Sequence, residues 1–167
     1  MGGLEGTGGT ETTLGEVLAV LAEASAERCH VWVAGGWGVD ALVGRQTRPH
    51  RDLDLAVDAR HERDVVGLLE RRGYRVETDW RPARVELVHP TRGWVDLHPV
   101  LFDETGHGQQ ADLDGGSFDY PPAAFATGSL DATVVRCLSA HQQRVFHTGY
   151  PPRPVDAHDL ALLRALP

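Results

Sequence analysis

The sequence predicts an α/β (α+β) domain: a mixed β-sheet flanked by helices, with a short helical C-terminal tail. Three observations predict it. Apolar residues recur at helical spacing in two early segments, short apolar runs bounded by glycines lie between and after them, and helical patterns return after residue 139.

Residues 13–28 read as an amphipathic helix, with Thr13 and Glu16 at capping-box spacing and Leu14, Val17, Leu18 and Leu21 at i, i+3, i+4, i+7. Residues 30–34 read as a short buried strand that stops at Gly35 and Gly36, and 37–43 as a brief helix ended by Gly44. The alternation of Asp52, Leu53, Asp54 and Leu55 predicts a strand over 51–57. Residues 61–72 form a second amphipathic helix whose apolar side is Val65, Val66, Leu68 and Leu69, with Gly73 as its stop. A third strand follows at 74–77, and 84–88 with 94–98 make a hairpin joined across 89–93. The Gly-, Asp- and Pro-rich stretch 104–122 predicts loop, with at most an irregular strand. Residues 133–138 read as a further strand. Ser139 and Gln142 open a helix that runs to about His147 and stops at Gly149, and 154–166 is a last helix with Pro154 in its first turn. With neither repeats nor a linker visible, residues 1–12 read as a disordered leader, 13–130 as the main domain and 131–167 as a strand-and-helix extension packed on it.

Composition narrows the function. No run approaches the ~20 apolar residues of a membrane span, and the first residues, MGGLEGTGGTETT, lack the basic and apolar regions of a signal peptide, so a cytoplasmic protein is expected. Cys29 and Cys137 read as two unpaired buried thiols. No Cys/His cluster has zinc spacing. A formal net charge of −8 argues against a nucleic-acid groove and suits a metal or a cationic small substrate.

The chemistry gathers in three places: Gly35-Gly36, Asp52-x-Asp54, and Asp96 in an apolar strand. Strand residues two apart share a face, so Asp52 and Asp54 project together while Leu53 and Leu55 enter the core. Adjacent carboxylates repel unless a cation lies between them, and Mg²⁺, a hard ion bound through oxygen alongside substrate phosphates, suits the pair. If the strand of Asp96 neighbours that of Asp54, three carboxylates converge and two Mg²⁺ can be held. A Gly-Gly turn between strand and helix lets backbone N–H groups approach a phosphate. It is neither a Walker A loop nor a GxGxxG fingerprint. Each feature alone has a plainer reading, as a solvated strand face, a tight turn or a surface acid; their order along the chain points to function. Glu86 falls opposite Asp96 if the hairpin loop has five residues, where it is either a fourth carboxylate of the site or a surface residue. His98 shares a face with Asp96 and either touches substrate or is structural.

This pattern resembles the DNA polymerase beta-like nucleotidyltransferase superfamily. It resembles more closely the small lincosamide and aminoglycoside 2''-O-nucleotidyltransferases, through VAGGWGVD at 33–40, RPHRDLDL at 48–55, RVEL at 84–87 and VDLHP at 95–99. The tail joins in with CL at 137, QQ at 142, FHTGY at 146–150 and DAHD at 156–159, so the likeness runs from about residue 31 to 163. It implies a nucleotidyltransferase fold and Mg²⁺-dependent transfer of a nucleoside monophosphate, from ATP or another NTP, to a hydroxyl of a lincosamide or aminoglycoside. Asp52 and Asp54 would bind Mg²⁺. Asp96 would complete the metal site and act as base. Gly35, Gly36 and Trp37 would hold the nucleotide phosphates, with Arg48 and His50 as further phosphate contacts. Asp40 would hold Arg48 or cap local structure, His147 and Tyr150 are candidates for substrate contact, and His158-Asp159 reads as helix packing rather than a metal site. The acidic balance with Glu86, Asp103 and Asp112 favours a cationic acceptor, the tail motifs a lincosamide, and so short a helical tail suits completion of the pocket by a second copy in a homodimer. The same core also serves transferases acting on proteins, as in toxin–antitoxin systems, or on natural products; a non-catalytic nucleotide-binding module ranks last, because uncompensated buried carboxylates cost stability.

Overall fold

Leu53 and Leu55 are fully buried, and the acids between them face the other side of their strand, so the alternation read in the sequence becomes the centre of the sheet. The computed structural model describes residues 10–148 and 151–167. Its strands are β1 (Val31–Ala34), β2 (Asp52–Asp58), β3 (Arg75–Trp80), β4 (Arg84–His89), β5 (Gly93–Phe102), β6 (Gly108–Ala111), β7 (Ser117–Tyr120), β8 (Phe125–Leu130) and β9 (Thr133–Leu138). Its helices are α1 (Leu14–Ala26), α2 (Gly35–Val43), α3 (Glu62–Arg71), α4 (Ala140–Phe146) and α5 (Pro154–Ala165). The main sheet runs β3-β4-β5-β2-β1-β9-β8, with β6 and β7 continuing from the far end of β5. Since β2 is parallel to β5 and antiparallel to β1, the sheet is mixed, as the sequence predicts.

One face of the sheet packs on α1 and α3: Val17, Val20, Val65, Leu68 and Leu69 meet Leu53, Leu55, Leu87, Val95 and Leu97. The helix and strand patterns therefore match over one shared core, where each fully buried Leu or Val contributes ~1.5–3 kcal/mol relative to exposure. Thr13 caps α1, accepting the Glu16 N–H at 3.2 Å. The return half of the capping box is not made. The Glu16 carboxylate turns inward instead, accepting from Arg72 Nη2 at 2.7 Å and Tyr74 Oη at 3.0 Å, and so pins α1 to the end of α3. Both cysteines are buried and unpaired. Among the described residues no helix is long and apolar enough to cross a membrane.

The course of the chain departs from the sequence reading at Thr12, in 104–122, in 125–130 and at β9. Thr12, assigned to the leader, is buried: its N–H donates to the His50 carbonyl at 2.9 Å and its hydroxyl to that of Arg51 at 3.1 Å. The stretch 104–122 forms the antiparallel pair β6–β7 rather than loop. Residues 125–130 form a strand no pattern announced, because its Gly and Ser carry little β-propensity and its order comes from the ladder with β9. Finally β9 is no appendage: it lies inside the sheet beside β1, its Val33–Cys137 register parallel. The predicted helix stop at Gly149 lies outside the described residues.

At Gly128 the backbone of β8 approaches α2 so closely that an added Cβ would lie 2.2 Å from the Ala41 carbonyl oxygen. Gly128→Ala is therefore expected to destabilise the fold by about 2 kcal/mol in urea denaturation. Gly116→Ala, whose Cβ would have nothing nearer than 3.7 Å, should leave the midpoint almost unchanged; equal midpoints for the two variants would contradict this packing.

Candidate active site

Register alone assembles the acids. The parallel β2–β5 ladder sets Asp54 beside Asp96, and the antiparallel β4–β5 ladder sets Glu86 on the other side of Asp96. The register supposed for the hairpin is observed, with Val88 opposite Trp94; the ladder runs one pair further, to His89 opposite Gly93, so the loop itself is three residues, 90–92. Asp54, Asp96 and His98 bring ligand atoms within 4.8 Å of one another. Asp52, opposite Trp94, is not in that group; it lies one row along the same face and borders the same cavity of about 990 Å³.

The charge there is only partly compensated. Burial and the neighbouring Asp54 push Asp52 up to about 6. Burial pushes Asp96 up to about 6 as well, with Asp54 and Glu86 adding to the rise and His98 and Arg84 opposing it. Arg84 is shared, its Nη2 lying 3.4 Å from both Glu86 Oε2 and Asp96 Oδ2. Asp96 Oδ1 is buried with no hydrogen-bond partner. A buried, unpartnered carboxylate oxygen beside a second carboxylate is a donor set of hard oxygens, and a divalent cation bound there would satisfy it. Burial would lower the His98 imidazole, but the hydrogen bond to Asp54 Oδ1 at 3.2 Å and the charges of Asp54 and Asp96 outweigh it and raise it.

The glycines border this acid row from α2, which begins at Gly35 rather than after the pair, so both sit in its first turn. Gly35 has φ +56°, and a Cβ there would lie 2.2 Å from Asp54 Oδ2. A Cβ on Gly36 would fall 2.4 Å from Arg48 Nη2 and 2.5 Å from His50 Nδ1. Only glycine allows the helix N-terminus, with its unpaired N–H groups, to approach the acids this closely. Trp37 is fully buried, 4.4 Å from the His50 ring centre to centre, so it can offer the cavity backbone only.

Arg48 and His50 are each held by an acid. Arg48 grips Asp159 of α5 along one edge of its guanidinium, Nε and Nη2 donating at 3.0 and 2.8 Å. Burial would raise the Asp159 carboxyl, but His147 and Arg48 outweigh it and hold it at about 2. Its contribution to stability is thus complete above its ordinary value of 3.8 and is lost as pH falls through about 2. The Asp159 carboxylate also raises His147, 3.8 Å away, whose Nδ1–H donates to the Gln143 carbonyl at 2.6 Å. His50 lies 2.5 Å from Asp40 through Nε2, leaving Nδ1 toward Gly36. Asp40 therefore holds His50, and Thr47 at 2.5 Å, not Arg48. His158 packs on Thr47 at 3.0 Å, as expected of a helix-packing residue.

Some cavity residues had no signal in the sequence. Gln110, Phe118 and Tyr120, from the stretch read as loop, line it, as does Arg153 at the start of α5; Asp156, the first residue of the DAHD tail motif, lines it too. Asp103 and Asp112, counted toward a cationic acceptor, organise turns outside the cavity by accepting backbone N–H groups of Thr105 and Asp114. Tyr150 lies outside the described residues. A second cavity, about 690 Å³ between α1 and β9, has none of these acids.

Comparison with known proteins agrees with this geometry. The family model for aminoglycoside-2''-adenylyltransferase matches residues 16–163. A lincosamide resistance protein of Staphylococcus haemolyticus is 37% identical over 135 residues, covering 81% of this chain and 84% of that protein. The lincomycin-bound crystal structure of lincosamide antibiotic adenylyltransferase LnuA superimposes with a TM-score of 0.87 at 34% identity, covering 95% of this chain and all of that one. ANT(2'')-Ia in complex with adenylyl-2''-tobramycin shares the fold, with a TM-score of 0.72 at 22% identity over 88% of this chain and 84% of that one.

Because Asp52 and Asp96 both take up protons near pH 6, protons and a divalent cation compete for them. Mn²⁺ affinity, read by the loss of the free-ion electron paramagnetic resonance signal, should be level above about pH 7 and fall roughly tenfold per proton per pH unit below 6. An affinity unchanged between pH 7 and 5 would mean that these carboxylates are not the ligands.

Proposed function

The chain belongs to the aminoglycoside-2''-adenylyltransferase family and is a nucleotidyltransferase; from that premise we propose that it transfers AMP from ATP to a hydroxyl of a lincosamide-type antibiotic, releasing pyrophosphate and conferring resistance. The observation that carries this reading is the acid row across β2, β5 and β4, with Asp96 Oδ1 unpartnered, facing the glycine-opened N-terminus of α2.

Asp52, Asp54 and Asp96 are the residues that would hold Mg²⁺, and the ion's chemistry there is to neutralise triphosphate charge and organise attacking and leaving oxygens. The remaining work falls to the chain. Gly35 and Gly36 offer N–H groups to phosphate oxygens at the positive end of the α2 dipole. Arg48 adds fixed positive charge beside them, oriented by Asp159. Asp96 accepts the proton of the attacking hydroxyl; a carboxylate raised to about 6 is a stronger base than an ordinary one and is still ionised at neutral pH. The leaving pyrophosphate needs no general acid from the chain, its charge being met by cations and backbone dipoles.

Two observations support a lincosamide over an aminoglycoside. The carboxylates bordering the cavity are engaged: Asp159 by Arg48, Asp156 by Arg153 at 2.9 Å, and Glu86 by Arg84 and Thr78. Asp52, Asp54 and Asp96 are the metal's. A polycationic acceptor needs acids these pairs do not spare. Phe118 and Phe146, in edge contact at 5.9 Å, and the exposed Val155 give the cavity an apolar wall, which suits an acceptor with one amine and an alkyl portion.

With ATP and Mg²⁺, lincomycin should gain the mass of one AMP with one pyrophosphate released. Asp96→Asn should lower kcat at least ~100-fold while ATP still binds. Adenylylation of tobramycin but not lincomycin would transfer the assignment to aminoglycosides, and no product with either acceptor would refute the proposed activity.

A further inference from the structure

Behind Asp54 runs a chain of buried polar groups that the reaction does not consume. Tyr120 Oη donates to Gln110 Oε1 at 2.6 Å, and both side chains are almost completely buried. The Gln110 amide nitrogen lies 3.3 Å from the Ala83 carbonyl and 3.3 Å from His98 Nδ1. His98 Nε2 in turn meets Asp54 Oδ1 at 3.2 Å. With His98 neutral, the Gln110 amide sets the direction of each link. A backbone carbonyl only accepts, so the edge of Gln110 facing Ala83 is its NH₂, and the tyrosine hydroxyl meets the oxygen. The second N–H of that NH₂ is available to His98 Nδ1, 3.3 Å away, and a neutral ring accepts it there through a lone pair. The ring hydrogen is left on Nε2, aimed at Asp54.

We propose that His98 is a positioning residue, held as its Nε2–H tautomer by Gln110 and Tyr120, that donates to Asp54 and orients it for the divalent cation instead of ligating the cation itself. The inference rests on the reading of Asp54 as a metal ligand. The distances agree with it. His98 Nε2 is nearer Asp54 Oδ1, at 3.2 Å, than Asp96 Oδ2, at 4.0 Å. A Cβ on Gly35 would lie 2.2 Å from Asp54 Oδ2, so glycine there leaves that oxygen its room. Oδ1 meets His98, while Oδ2 lies beside the start of α2. A nitrogen that carries hydrogen has no lone pair for a metal, so the group of Asp54, Asp96 and His98 contains two ligands and an orienting donor. Outer partners of this kind align the carboxylate and set its affinity.

The test is a long-range ¹H–¹⁵N correlation spectrum of the full chain with ¹⁵N-histidine at mildly alkaline pH, with and without Mg²⁺ and without nucleotide or acceptor. His98 should show the Nε2–H pattern in both states. Gln110→Glu, which keeps an acceptor for Tyr120 but replaces the donor facing His98, should move the ring hydrogen to Nδ1 and weaken Mn²⁺ binding by about tenfold. The Nδ1–H form or a doubly protonated ring in the unsubstituted protein, or loss of the Nε2 hydrogen on adding Mg²⁺, overturns the proposal. If Gln110→Glu does not fold, the spectra of the unsubstituted protein decide alone. Because neither ATP nor antibiotic is present, the result stands apart from whether the chain adenylylates an acceptor.

Discussion

The constraint on which the rest of the structure depends is the adjacency of Asp54 and Asp96 in the middle of the sheet. A parallel register that fixes Leu53 beside Val95 and Leu55 beside Leu97 on the core face necessarily fixes the two acids side by side on the other. The hydrophobic effect on one face thus determines electrostatic repulsion on the other, since a shift by one residue would bury the acids and expose the leucines. Every unusual feature nearby answers that repulsion. Arg84 is shared between two acids, His98 donates to one of them, and Asp52 and Asp96 stay partly protonated to higher pH than ordinary carboxyls. The site stores an electrostatic cost that bound cations relieve, which couples metal binding to stability.

The second organising contact lies between the helical tail and the rest. Arg48 and Asp159 are separated by 111 residues in sequence, yet the fork closes on the carboxylate in two hydrogen bonds. Gln143 makes a similar long connection, donating to the Gly35 carbonyl at 3.2 Å. Through these two links α4 and α5 hold the side of the cavity formed by Gly35 and Arg48 in place. A charge pair so well buried is costly to break from one side, so the tail is part of the site's architecture.

Much of this was legible in the sequence where local pattern and global fold agree. The alternation at Asp52–Leu55 declared a half-buried strand and predicted the shared face of its two acids, and Trp94–Leu97 declared another strand, whose place beside the first only the fold supplied. Counting across residues 89–93 placed Glu86 opposite Asp96, although the ladder closes the loop to three residues. What stayed hidden depended on distant partners. GQQA has no strand-favouring residue, and in FATGSL the Gly and Ser offset Phe and Thr, so neither is a strand until another strand supplies the ladder. The partner of Asp40 could not be chosen because Arg48 and His50 lie two residues apart and only the turn of the backbone decides which one reaches it. Capping spacing was informative in one direction only: Thr13 and Ser139 cap as expected, while Glu16 and Gln142 are drawn away by Arg72 and the Asp119 carbonyl.

These hidden parts share a place in the molecule, and that carries an argument about specificity. The acids stand on β2 and β5, whose opposite faces are locked into the main core. The residues that shape the outer cavity come from the β6–β7 pair, where the sequence pattern is weakest, and from the helical tail: Phe118 and Tyr120 from the first, Phe146 and Val155 from the second. Chemistry on rigid central strands tolerates little change, since a displaced carboxylate loses its partner across the ladder. A peripheral hairpin and short helices can change side chains without disturbing that register. Acceptor choice within such a fold is therefore free to vary over a constant transfer site, and the physical limits on that variation are the two ties that reach inward: Gln110 to His98, and Asp159 to Arg48.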